Sequence, residues 1–415
     1  MEYIKLFDTH SDYEEFAGGG MLRPNVSHCV SENEVHYNPW TWANEYLTIT
    51  PHGDGNVVIN MYSGVTTDVL SSISYSKDNG ETWVTTNNVN GTNVTVTIEA
   101  INGEDILLKG EGTSMAKGGD LSNGKPICAT TFSTNFEFIL KGNIMSLLKG
   151  DEFKNDSEIT GSTDTFIYLF SGCTNLIDAE NLVLPAATLA NKCYHGMFKS
   201  CTSLTTAPEL PAITLAESCY RYMFDGCTNL VNIPSILPAT TLTKNCYYGM
   251  FEECTSLTTA PELPATVLAD WCYAYMFEDC TSLTTAPKLP ATTLAEWCYR
   301  SMFNGCTGLT VAPELPATTL ASKCYDSMFS GCTSLAIAPE LPATTLVERC
   351  YYQMFQNCAN LNSITCLATD ISATNCTNNW VMGVAAIGTF TKAASMTSWT
   401  TGVSGIPEGW TEQNA

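Results

Sequence analysis

The chain carries 19 cysteines in 415 residues, a number that invites three chemistries: disulfide crosslinking, metal binding through thiolates, and nucleophilic attack. Their spacing narrows the choice. Cys193, Cys219, Cys246, Cys272, Cys298, Cys324 and Cys350 recur every 26 residues with one interval of 27, and eight positions after them stand Cys201, Cys227, Cys254, Cys280, Cys306, Cys332 and Cys358. On a helix, eight residues span ~12 Å, and equivalent residues on packed helices stand ~8–10 Å apart, whereas a disulfide needs Cα atoms within ~7 Å. The expectation is therefore buried free thiols serving as small apolar side chains. No copy supplies a His or carboxylate beside its thiols in a recurring way, since His195 occurs in one copy alone, so no metal and no cofactor is expected. The remaining histidines, His10, His28, His36 and His52, are scattered, and His28, Cys29 and His36 fit no standard ligand spacing. G-x-S-x-G, H-E-x-x-H and phosphate-cradling Gly-rich loops are all missing, so no catalytic residue is assigned and the chain is not expected to be an enzyme.

Binding is the chemistry left. The string C-Y-x-x-M-F-x-x-C holds its variable positions on one side, and several of these carry large aromatics: Trp271 and Tyr275, Trp297 with Arg300, and Tyr222, Tyr248 and Tyr352. Aromatics and arginine on a face that ought to be wet mark a binding surface, for a sugar ring or a protein partner; the bland reading is that they fill gaps between neighbouring repeats. These seven are the candidate ligand-binding residues.

The elements that would position them follow from periodicity. At 100° per residue, the constant Cys, Tyr, Met, Phe and second Cys fall within one arc about 140° wide, which predicts a short amphipathic helix with the variable residues outside. The following segment, such as Thr258-Thr259-Ala260-Pro261-Glu262-Leu263-Pro264, is too short and Pro-rich for a helix and predicts a short strand. Strands stacked ~4.8 Å apart and helices ~8–10 Å apart would bend the stack, strands on the concave side. Phe166, Leu169, Phe170 and Cys173 before the full copies, and Cys376, Trp380, Val381 and Val384 after them, read as worn copies at the ends of the stack.

The turn M-F-x-x-C-T-S-L-T-x-A-P-x-L-P resembles the BspA-like leucine-rich repeat, though its period is 26 rather than about 23 and alanine stands where the strand's isoleucine would be. That resemblance implies an α+β fold: a curved leucine-rich-repeat solenoid of 26-residue turns over residues 165–384. It also implies a cell-surface or virion-associated protein of gut Bacteroides-type bacteria or their phages, acting in adhesion or host binding.

Before the repeats, Val57-Val58-Ile59-Asn60-Met61, Ser72-Ile73-Ser74-Tyr75-Ser76, Val94-Thr95-Val96-Thr97-Ile98 and Asp105-Ile106-Leu107-Leu108-Lys109 alternate apolar and polar residues. They predict a small antiparallel β-sandwich over 46–112. Within it, Ser76-Lys77-Asp78-Asn79-Gly80-Glu81-Thr82-Trp83 matches the Asp-box hairpin and is read as structural. Residues 1–45 are expected to form a docking segment, 113–164 a linker and solenoid cap, and 385–415 a C-terminal cap. Lys+Arg 18 against Asp+Glu 42 gives a net charge of −24, which excludes nucleic acid as a partner. No apolar run is long enough to insert in a membrane, and the N-terminus has no signal-peptide pattern. The expected location is extracellular, on a cell surface or a virion. The primary functional expectation is an adhesin or receptor-binding protein for a host-surface glycan or protein. The alternative is a phage structural, decoration or tail-fibre component with the solenoid as spacer. In either, residues 1–164 are expected to mediate homo-oligomer or virion assembly.

Overall fold

The computed structural model describes residues 42–61, 71–87, 94–117, 128–155, 158–159 and 163–415. The docking segment up to residue 41, with His10, His28, Cys29, His36 and Trp40, lies outside them. The N-terminal part is a sheet domain. One sheet has six strands in the order β11-β10-β1-β6-β3-β4 (β1 Leu47–Pro51, β3 Ser72–Ser76, β4 Val84–Asn87, β6 Ile106–Glu111, β10 Phe138–Asn143, β11 Leu176–Val183), and a second has β5-β2-β9 (β2 Gly55–Met61, β5 Val94–Ala100, β9 Thr131–Thr134). A further two-stranded pair joins β7 (Ala116–Lys117) to β8 (Cys128–Ala129). Alternation drives this part: Val57, Ile59 and Met61 of β2 and Val96, Ile98 and Ala100 of β5 point into one core with Leu47, Ile49 and Leu108, while their neighbours face out. β9 and β10 come from the stretch expected as linker and cap, and they complete the two sheets. β10 then pairs in parallel with β11, so the sheet runs directly into the first repeat.

The Asp-box segment is a tied hairpin. Asp78 accepts from Thr82 N–H (2.9 Å) and from the Ser76 hydroxyl (2.7 Å), Gly80 N–H donates to Ser76 Oγ (2.8 Å), and Trp83 Nε1 donates to the Gly80 carbonyl (3.1 Å). Asn79 and Gly80 take the positive φ values, 57° and 89°, that this tight turn requires. The Thr82 donors, above all its hydroxyl, hold the Asp78 carboxyl down at about 2.

The repeats depart from expectation in one respect. Counting from the first cysteine of a coil, the constant residues are buried as predicted, but the segment is not an α-helix. Positions −1, +3 and +7 have left-handed φ in coil after coil, as at Trp271 (62°), Tyr275 (61°) and Asp279 (58°). The backbone donors alternate. Trp271, Tyr273, Tyr275, Phe277 and Asp279 donate to carbonyls of the next coil at 2.7–3.1 Å, while Cys272, Ala274, Met276, Glu278 and Cys280 donate to the carbonyl three residues back at 3.1–3.3 Å. Half of the amides thus bridge neighbouring coils, where a helix would keep all of them to itself. Buried positions 0, +1, +4, +5 and +8 follow a four-residue period, which nine residues cannot separate from 3.6. Among the described residues the single α-helical element is the turn Ser146–Lys149, so the α part of the expected α+β class reduces to that.

Two consequences follow. The coils approach at roughly the ~4.8 Å spacing of hydrogen-bonded chains, as the stacked rings record: Tyr194–Tyr220, Tyr220–Tyr247 and Tyr247–Tyr273 centroids lie 5.7–5.8 Å apart, and Phe224–Phe251 and Phe251–Phe277 5.6–5.7 Å. The wider helical spacing on which the expected curvature rested is therefore missing. The expected strands of the Pro-rich segment are likewise mostly single parallel bridges, such as Thr206↔Asn232 and Thr285↔Val311. Continuous strands return at the end, where β12 (Ser363–Cys366), β13 (Thr389–Lys392) and β14 (Thr411–Asn414) form a parallel sheet. Trp380 closes both ring columns, 6.2 Å from Tyr351 and 6.3 Å from Phe355, and Trp399 stacks on it at 5.6 Å.

Seventeen of the cysteines are described as buried free thiols. The distance between helices is not what keeps them apart, since there are no such helices. The thiols of the second column hydrogen-bond to backbone carbonyls: Cys227 Sγ donates to Phe198 O (3.1 Å), Cys280 to Phe251 O (3.1 Å) and Cys332 to Phe303 O (3.0 Å). They tie each coil to the one before. Burial pushes the first-column thiols up, Cys246 to about 12, which keeps them protonated and poor nucleophiles.

Candidate functional site

All seven aromatic and arginine residues singled out from the sequence lie on one continuous stripe across the coils. Positions −1, +2 and +3 form neighbouring columns there because the four-residue step returns them to the same side in every coil. Tyr222 meets Tyr248 edge to face at 5.2 Å; Tyr248 lies 5.0 Å from Tyr275 and 6.1 Å from Trp271; Trp271 stacks on Trp297 at 4.7 Å with 18° between planes. The Arg300 guanidinium lies over Trp297 at 4.5 Å, with Tyr275 and Trp271 at 5.4 and 5.6 Å. Tyr352 joins through Arg349, which is 4.1 Å from the Tyr352 ring and 5.6 Å from that of Trp297. Each of these side chains is half-buried. The rings pack against one another and against guanidinium groups.

Arg221, Lys199, Lys323 and Arg349 were missed by sequence reasoning. Arg221 lies beside the Tyr248 and Tyr222 rings (4.3 and 5.0 Å), Lys199 over Tyr222 at 4.8 Å, and Lys323 over Trp297 at 4.7 Å. Their signal was available, because they occupy variable coil positions as the aromatics do. Arg349 also pairs with buried Asp326 (2.9 Å), and Lys199 with Asp225. At the N-terminal end the stripe continues through Tyr168, whose hydroxyl meets His195 Nε2 at 3.1 Å. Burial depresses His195 to about 3, so it stays neutral.

Glycine placement carries the column at +3. Tyr168, Gly196, Tyr222, Gly249 and Tyr275 alternate large and absent side chains in successive coils, and the rings of Tyr168 and Tyr222 lie across the next glycine. A Cβ on Gly196 would stand 2.3 Å from Tyr168 Cε1, and one on Gly249 2.5 Å from Tyr222 Cε1.

Beside the stripe, position +6 stacks Asp225, Glu252 and Glu278 in consecutive coils. Burial, then the neighbouring acids, pushes Glu252 up to about 7 and Glu278 up to about 8, and Asn304 Nδ2 donates to Glu278 Oε1 at 3.0 Å. Carboxyls with raised pKa leave the fold most stable below the ordinary value of 4.5, and that stability is lost as pH rises through the folded values. The melting temperature is therefore expected to fall by a few degrees between pH 5 and pH 8, and Glu278→Gln to flatten that decline; an unchanged slope in the variant would rule the carboxyl stack out as its cause.

Among the described residues no three His, Cys, Asp or Glu side chains gather so as to hold a metal ion, and no helix is long and apolar enough to cross a membrane. The family model described as "BspA type Leucine rich repeat region" matches in 6 copies over residues 167–284, 191–334 and 248–379, together just over half of the chain. No curated protein matches. A leucine-rich repeat protein of Bacteroides ovatus with a solved crystal structure is similar over 56% of this chain and 79% of its own, at 12% identity and a TM-score of 0.18.

Proposed function

We propose a binding function for this chain, which belongs to the BspA-type leucine rich repeat family. Members of that family are often surface-exposed proteins involved in binding, and the repeat is typically a binding or scaffold fold and not a catalytic one. The chain acts as an adhesin or receptor-binding protein, displayed outside the cell or on a virion, whose solenoid presents the aromatic stripe to a host-surface glycan or protein. Residues 1–164 attach it to an assembly or to further copies. The observation that supports this reading is the collection of Tyr222, Tyr248, Trp271, Tyr275, Trp297, Arg300 and Tyr352 on one half-exposed strip. Coil closure alone does not need rings of that size, because other coils hold Asn245, Lys323 and Asn375 at the tryptophan position with the same backbone conformation. An array of host glycans and extracellular-matrix proteins probed with the full chain tests it, and at least one ligand is expected. A chain that binds nothing on the array and assembles into a symmetric oligomer through residues 1–164 would instead be a structural or decoration component with the solenoid as spacer.

A further inference from the structure

Beside the tyrosine hydroxyls, which can donate or accept, the polar groups left unspent on the stripe are indoles and guanidinium groups, which can only donate. Trp271 and Trp297 have no hydrogen-bond partner for their indole N–H among the described residues, and indole nitrogen can only donate. Arg221 has no ion pair there, and Arg300 reaches Asp326 only at 3.9 Å; both guanidinium groups lie against rings. The chain has four arginines, of which Arg221, Arg300 and Arg349 stand on this stripe, in a protein of net charge −24. Donor-only groups therefore recur along the stack from Arg221 through Trp271 to Trp297 and Arg300. That span is three coil steps, about 15 Å at the spacing of hydrogen-bonded chains.

We propose that the stripe takes an acidic glycan, a linear polysaccharide bearing carboxylate or sulfate groups at regular intervals. The inference rests on the binding function proposed above and names its ligand class. Carboxylate and sulfate oxygens are the acceptors a guanidinium fork matches best, and a linear polymer with charges along its length can meet donors spread over three coil steps. An acidic peptide is the poorer fit. The amides of these coils are spent on the neighbouring coil or on the carbonyl three residues back, so a peptide finds no edge to pair with as an added strand. Lys199–Asp225 and Arg349–Asp326 pair two of the acids beside the track, and burial holds the unpaired Glu252 and Glu278 up to about 7 and about 8, which limits repulsion from a polyanion.

The test measures binding of the full chain to heparin, polygalacturonate, dextran and poly-glutamate at low and raised salt. Heparin or polygalacturonate is expected to bind, with affinity falling as salt rises, and dextran and poly-glutamate not to bind. Which of the two polyanions binds tighter separates sulfate from carboxylate recognition. Arg221→Gln/Arg300→Gln is expected to weaken binding by about tenfold or more, with the chain still folded at the assay temperature and its melting temperature lowered by the ring and Asp326 contacts that the guanidinium groups give up. Unchanged binding in that variant, dextran binding as tightly, or poly-glutamate binding as tightly overturns the proposal. A neutral glycan or protein ligand whose affinity depends on Trp271 and Trp297 would overturn the acidic class while leaving the binding function standing.

Discussion

Gly249→Ala is expected to destabilise the solenoid by about 3 kcal/mol, a large effect for the addition of one methyl group. Two costs combine. Gly249 has φ 58°, where an L-residue loses about 1–2 kcal/mol, and its Cβ would sit 2.5–2.6 Å from Cε1 and Cδ1 of Tyr222. The ring cannot yield freely, since Arg221, Lys199 and Tyr248 pack around it. The steric share is separable. In a Tyr222→Gly background, which reproduces what Gly196 and Gly249 already do at that position, Gly249→Ala should lose only its backbone cost, a coupling a double-mutant cycle measures. Gln353→Ala, at the same position of a coil with no tyrosine before it and with a similar φ of 52°, should change little. Repeat arrays need not unfold in one step, so amide exchange over the affected coils is the appropriate reading alongside a denaturation midpoint. A Gly249→Ala change within about 0.5 kcal/mol of zero would contradict the alternation of ring and glycine.

That alternation shows how far the sequence could be read. The burial of Cys272, Tyr273, Met276, Phe277 and Cys280 was legible because burial depends on which residues are apolar, and the repeat states that seven times. The backbone path was not, because the helical period and a four-residue step predict the same buried set over so short a segment. The distinguishing mark was elsewhere: Gly196, Gly226, Gly249, Gly305 and Asn245, Asn375 and Asn379 fall on the −1, +3 and +7 positions, the residue types that accept left-handed φ. Reading those positions as turn formers would have replaced the helix with a ladder of turns and removed the argument for curvature. The seven stripe residues were found because their exposure follows from the same buried set. Their contacts were not legible, since Trp271 touches Trp297 only at the close spacing that the bridging amides impose. Arg221 and Arg349 were marked out by their variable coil positions, but their role was not, because a guanidinium becomes part of an aromatic site only when the next coil's ring lies within reach.

Trp271→Asn/Trp297→Asn is expected to weaken ligand binding by at least about 2 kcal/mol, roughly thirtyfold. The two indoles stand at the centre of the stripe, ringed by Arg300, Lys323 and Arg349, and central aromatics flanked by arginine are where binding energy concentrates. Asparagine is the informative replacement. Asn245 and Asn375 hold the same position with φ 56° and 55°, so the coil keeps its backbone and any loss of affinity belongs to the surface. Thermal stability should fall only by what the two half-buried rings contribute, the apolar area they cover and about 0.5–1.5 kcal/mol of stacking beyond it.

The most direct test compares this variant with one altered on the bridge-bearing side of the same stretch of the stack, Thr258→Asn/Thr284→Asn, where both threonines are exposed. Dissociation constants for a ligand of the full chain, measured by a solution titration, should rise about thirtyfold for the tryptophan pair and stay unchanged for the threonine pair. Equal affinity in the tryptophan variant, or a loss confined to the threonine variant, would show that the aromatic stripe is not the binding surface.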